Sequence, residues 1–303
     1  IIGSSIALVI SLWSTIVEYA ILKYFLFTGV TSAIFGIGLY TEHRWKLPTT
    51  SRGVLIIATL LVPLNFLAIA AFSKGMPSTD PQVLGSEIVA LAAFLWLTHR
   101  SGRVIVPEWS WILVVGVMGS SLAQLAIRRF GGDGAPLRQL FVLGSLPLFC
   151  YGGAAGWMLK RTREWKEVGE SEANSLFILL GSVTFAARLA FGLLIYNSGH
   201  PAQTLRDLAP LVSLGGVPAL ASGLVLWRRL AEAKLAAVRT AGTSIAVLGA
   251  VELLVGIVMA WPNPAGMLPV AILDFAALTA IALLFELPAA HLLATPCLVL
   301  AYL

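Results

Sequence analysis

The chain has 303 residues, 58% of them hydrophobic and 12% charged, with a mean hydropathy of +0.89. Water-soluble domains carry about 25% charged residues, so a soluble core is excluded and the chain is read as lying in a lipid bilayer. The net charge of +5 does not imply nucleic acid. The bases are scattered through short links with no basic run or aromatic platform, and cytoplasmic loops rich in Lys and Arg account for the excess.

Apolar runs divided by polar punctuation predict eleven spans: Gly3–Ala20, Tyr24–Tyr40, Gly53–Phe72, Val83–Leu97, Trp109–Ile127, Leu137–Leu159, Ser175–Tyr196, Ala209–Trp227, Thr240–Trp261, Leu268–Phe285 and Ala289–Leu303. The first two join through Glu18 to Lys23 without Pro or Gly and are also compatible with one long bent helix. The fourth is short for a hydrocarbon layer of about 30 Å and is read as partly inserted. None of the runs shows the period-2 polar alternation of a membrane barrel, and lipid demands that every backbone amide be paired internally. The expected fold is therefore all-α: a polytopic integral membrane protein of ten or eleven transmembrane helices arranged as antiparallel hairpins. Residues 1–303 form one transmembrane domain with no separate soluble domain. Because it starts at Ile1 and stops at Leu303 inside an apolar run, the sequence reads as a segment of a longer chain.

Orientation follows from the links. Those after spans two, four, six and eight carry thirteen bases: Arg44, Lys46, Arg52, Arg100, Arg103, Lys160, Arg161, Arg163, Lys166, Arg228, Arg229, Lys234 and Arg239. The opposite links carry six: Lys23, Lys74, Arg128, Arg129, Arg138 and Arg206. The positive-inside rule then expects the N-terminus in the cytoplasm and a multi-pass protein of the inner, cytoplasmic membrane. Arg128 and Arg129 fall on the wrong side of that layout. The outer links SKGMPSTDPQ, GGDGAP, NSGHPAQTLRD and PNPAG read as turns. Trp109, Trp111, Trp227 and Trp261 sit at span ends and read as interfacial anchors.

Three ionisable residues lie deep in spans, where insertion scales assign each about 2.5–3.5 kcal/mol. Arg188 in span seven, Glu252 in span nine and Asp274 in span ten sit at one depth, roughly 9–14 Å below the outer interface at about 1.5 Å per residue. They are read as one intramembrane ion cluster. Its plain role is a clamp in which Arg188, permanently charged, ties the three helices together. The alternative is a charged-substrate or proton site, with a carboxylate as the titrating group. Glu286 and His291 flank the last inner turn and read as solvated.

Two spans carry helix-breaking residues. Span three holds Pro63 and Asn65, and span eight holds Gly215, Gly216 and Pro218. Paired interrupted helices mark the substrate path of many transporters. Proline in a span also makes an ordinary kink, with Asn65 bonding a freed carbonyl across a helix contact. The reading adopted is a kink with a plug, a substrate path being the alternative. Small residues at Gly116, Gly119 and Ser120, and at Gly249, Ala250 and Gly256, read as close-packing surfaces.

Cys150 and Cys297 lie in apolar runs and read as buried hydrophobes, not a disulfide. The sequence carries no phosphate loop, GxSxG, HExxH or metal-ligand spacing, so no enzyme, cofactor or metal is expected. The function expected is a membrane-embedded structural or accessory module, a subunit or segment of a larger membrane assembly, with the lipid bilayer and other membrane subunits as partners. The alternative is a secondary transporter of a small solute, using the breaks in spans three and eight with Glu252 or Asp274 as the coupling acid.

Overall fold

The computed structural model describes residues 20–72, 81–132, 134–162, 170–231 and 236–302, and its regular elements are all helices. They are α1 (Ala20–Tyr40), α2 (Pro48–Phe72), α3 (Pro81–Ile105), α4 (Ser110–Phe130), α5 (Leu137–Thr162), α6 (Glu170–Asn197), α7 (Pro201–Asp207), α8 (Ala209–Ala231), α9 (Ala236–Ala260), α10 (Pro264–Phe285) and α11 (Pro288–Tyr302). Among the described residues nine helices are long and apolar enough to cross a membrane, and α11 is a shorter apolar helix. Predicted span one lies outside the described residues. Side chains as large as Phe149, Val258, Leu283 and Leu292 are 69–75% exposed. Water would penalise that surface and hydrocarbon accepts it. The chain is a multi-pass, all-α membrane protein.

The chain divides into two compact units, Ile1–Leu125 and Ala126–Leu303, with α4 crossing the division. In the first unit α1 and α2 form a hairpin through a π turn, Thr41–Trp45, closed by Lys46 in the left-handed region at φ 52°. Ser51 Oγ donates to the Gly38 carbonyl at 2.8 Å across that hairpin. Phe66 on α2 meets Phe94 on α3 edge to face at 6.0 Å. In the second unit α8 is central, packing on α5, α9 and α10, while α10 pairs with α11. Leu220, Ala246, Leu253, Leu278, Ile281, Ala294 and Cys297 make one apolar core there.

Four expectations are corrected. Span four, read as short and partly inserted, is a helix of 25 residues. It continues because Thr98 and Ser101 turn inward, fully buried, while Arg100 lies over the Trp96 ring at 5.7 Å. The link NSGHPAQTLRD contains a helix, α7, whose start is fixed by Gly199 at φ 76° and Pro201 in the first turn. Trp109, read as an anchor, is 5% exposed and packs inward, whereas Trp111 and Trp261 are exposed. Neither of the two spans read as interrupted is broken: α2 stays helical through Pro63 and α8 through Gly215, Gly216 and Pro218. A proline removes one backbone donor, and the surrounding packing holds the remaining turns in place.

Candidate functional site

The second unit gathers Arg188, Glu252 and Asp274 around one turn of α8. The helix ends set their depth. Asn263 caps α10, its side chain accepting from Ala265 N at 3.1 Å, with Pro264 at the first helical position. Glu286 closes the helix in the left-handed conformation, its N–H donating to Ala282 O. Between these caps Met267, Val270, Ala271, Asp274, Leu278 and Ile281 make the buried stripe, so Asp274 is the one charge on the packed face. Arg188 and Glu252 lie a comparable number of turns from the C-terminal ends of α6 and α9.

Arg188 Nη2 donates to Glu252 Oε2 and, at 3.2 Å, to the Gly215 carbonyl. The two side chains of this ion pair are 31% and 17% exposed. Gly215 admits the guanidinium because it has no side chain: a Cβ there would stand 3.3 Å from both terminal nitrogens. Asp274 does not join the pair. Its Oδ1 accepts from Ser213 Oγ at 2.7 Å, and the same hydroxyl approaches the Leu253 carbonyl at 3.4 Å. Its Oδ2 is buried with no hydrogen-bond partner among the described residues. The predicted cluster is therefore two sites on one helix turn, an Arg188–Glu252 pair and an Asp274–Ser213 pair.

Gly216, one residue on, faces α9. A Cβ there would stand 2.7 Å from the Gly249 carbonyl oxygen and 3.1 Å from Glu252 Cβ. Farther along, Gly223 meets Gly242 and Ala246, while Gly249 meets Leu220 and Gly256 meets Ser213. Glycines at 242, 249 and 256 recur every seventh residue, the spacing that keeps one face of a helix on its partner. Pro218 rests beside Gly152 of α5 at 3.8 Å from a Cβ built there. Tyr151, 2% exposed, brings its hydroxyl to Thr184 and Ser222 within electrostatic reach of Arg188 and Glu252.

In the first unit Asn65 is fully buried. Its Nδ2 donates to Thr31 Oγ1 at 2.8 Å and to Leu61 O at 2.9 Å, and its Oδ1 accepts from Thr28 Oγ1 at 3.2 Å. Thr31 in turn donates to Phe27 O at 3.0 Å. The amide crosses to threonine hydroxyls of α1 and does not cap the Thr59 carbonyl that Pro63 leaves without its donor.

Sequence reasoning missed Ser213, which joins α8, α9 and α10. It also missed Glu87, 2% exposed on α3, and Gln124, fully buried on α4 with neither amide atom partnered among the described residues. Each is a polar residue on the packed face of a largely apolar helix, and the sequence does not mark which of a helix's polar residues will be buried. Glu286 serves as the α10 cap and His291 lies in the first turn of α11, which begins at Pro288. Both cysteines are free. Among the described residues no group of three or more His, Cys, Asp or Glu converges as metal ligands would. Comparison with protein-family models, with curated proteins and with solved structures finds no match to this chain.

Proposed function

We propose that this chain is a membrane-embedded structural or accessory module of a larger membrane assembly. It sits in the inner, cytoplasmic membrane with its N-terminus on the cytoplasmic side, the orientation that thirteen bases on alternate links favour. One observation carries this reading: the residues a transport path would hold open are spent in helix contacts. Asn65 is enclosed by Thr28, Thr31 and Leu61. Gly216 is pressed against the α9 backbone. Arg188 clamps α6 to α8 and α9. Exposed apolar side chains such as Val258, Leu283 and Leu292 face lipid or neighbouring subunits.

The test is purification in mild detergent, followed by reconstitution of the chain alone. The module reading expects other membrane proteins to co-purify in fixed ratio, and vesicles holding only this chain to accumulate no solute. A second reading, a secondary transporter of a small solute, is favoured by one feature, the unpartnered oxygen of Asp274. It replaces the first if the chain purifies alone and drives gradient-coupled uptake that Asp274→Asn abolishes.

A further inference from the structure

The polar layer of the second unit does not balance its charge. Arg188 is engaged by Glu252 and the Gly215 carbonyl, which leaves Asp274 as the surplus acid. It is fully buried, and among the described residues only one of its oxygens has a donor. Among the described residues the groups around it supply no free cation. From α8 comes Ser213, from α9 the Leu253 carbonyl and the already paired Glu252, and from α6 the spent Arg188. From α11 comes Cys297, within electrostatic reach. Asp274 is the only titratable residue of α10. An ionised carboxylate left this way in a membrane interior is strongly disfavoured.

We propose that both Asp274 carboxylate oxygens, Ser213 Oγ and the Leu253 carbonyl form a binding site for a small monovalent cation, Na⁺ or a proton in its place. Carboxylate, hydroxyl and backbone carbonyl are the oxygen donors that hold such ions within membrane helices. The Ser213 hydroxyl reaches Leu253 O only at 3.4 Å, long for an O–H···O bond, so the carbonyl keeps capacity for an ion. Gly256 preserves the space, since a Cβ there would collide with Ser213 Oγ. The surplus negative charge excludes an anion. The site stands whether the chain moves a solute or only braces an assembly, because its test reads binding.

The experiment uses the full chain in lipid nanodiscs. Dicyclohexylcarbodiimide, which attacks protonated carboxyls in apolar surroundings, is applied across mildly acid to mildly alkaline pH in either NaCl or choline chloride at equal ionic strength. Modification of Asp274 is read by peptide mass spectrometry, and the melting temperature by tryptophan fluorescence. A Na⁺ site slows labelling several-fold in NaCl and raises the melting temperature there. A proton site shows labelling and melting temperature that follow pH in both salts alike. Asp274 unlabelled throughout, with a melting temperature indifferent to Na⁺ and pH, overturns the proposal. So does persistence of the melting-temperature response in Asp274→Asn. Ser213→Ala keeps the carboxylate and removes one ligand; the site requires that it weaken the Na⁺ response, or shift the pH response, several-fold. An unchanged Ser213→Ala overturns the site even if Asp274→Asn fails to fold.

Discussion

Arg188 and Glu252 are neither surface nor core charges: their side chains are 31% and 17% exposed. Exposed pairs contribute about 0–1 kcal/mol, while removing one partner of a buried pair costs about 3–5 kcal/mol. Arg188→Leu should thus lower stability by about 1–3 kcal/mol, because Glu252 and the Gly215 carbonyl both lose their donor. The double variant Arg188→Leu/Glu252→Leu should recover part of that loss, as read by thermal unfolding in detergent. If the two single losses simply add, the pair does not act as a clamp. Gln124 argues the other way. Its amide is fully buried and unpartnered among the described residues, so Gln124→Leu should raise stability by about 1–3 kcal/mol, the usual penalty of such a group. A lower melting temperature would mean the amide has a partner. At this scale the charges were legible, since matched depth can be counted along apolar runs and charge is rare in lipid. The subdivision of the cluster was not. It depends on Ser213, and a serine in a membrane helix normally bonds its own preceding carbonyl.

The contact between α8 and α9 shows why the harshest-looking segment of the sequence is not a break. Glycine costs about 1 kcal/mol in a helix interior relative to alanine, so Gly215 and Gly216 beside Pro218 read as an interruption. In the structure the two glycines make room for different neighbours. Gly215 admits a guanidinium, and Gly216 admits the backbone of α9. That steric role is visible in the sequence only when α8 is already known to face α9, because the matching glycines recur within α9 and nothing in α8 points to them. Gly249→Ala should separate the two helices, since its Cβ would stand 2.7 Å from the Gly216 carbonyl oxygen. Overpacking of that kind costs about 1–3 kcal/mol. Gly153→Ala on α5, where a Cβ meets nothing within 4 Å, is the control and should be neutral or slightly stabilising. Equal melting temperatures for the two variants would refute close packing as the reason for glycine at 249.

For the molecule as a whole, the class of fold was carried by composition, and only the number of crossings needed coordinates. Polar residues inside α3 hid its true length, because Thr98 and Ser101 look like a helix end until both are seen to be buried. The orientation in the membrane rests on a different force, the preference of cationic links for the cytoplasmic face, and it makes a prediction of its own. Cys150 and Cys297 are free, so both are first replaced, for example by Ser and Ala. Single cysteines are then placed at Thr162, Leu230, Ala202 and Ala265. In intact cells an impermeant maleimide should reach Ala202→Cys and Ala265→Cys, which lie on links of the base-poor set. It should reach Thr162→Cys and Leu230→Cys, beside Arg161 and Arg229, only after the membrane is opened. The reverse pattern would invert the chain and place the Asp274 site nearer the cytoplasmic face. Labelling of all four from outside would mean that the helices between these links do not alternate across the bilayer, and the shared depth of Arg188, Glu252 and Asp274 would then no longer be a depth in lipid.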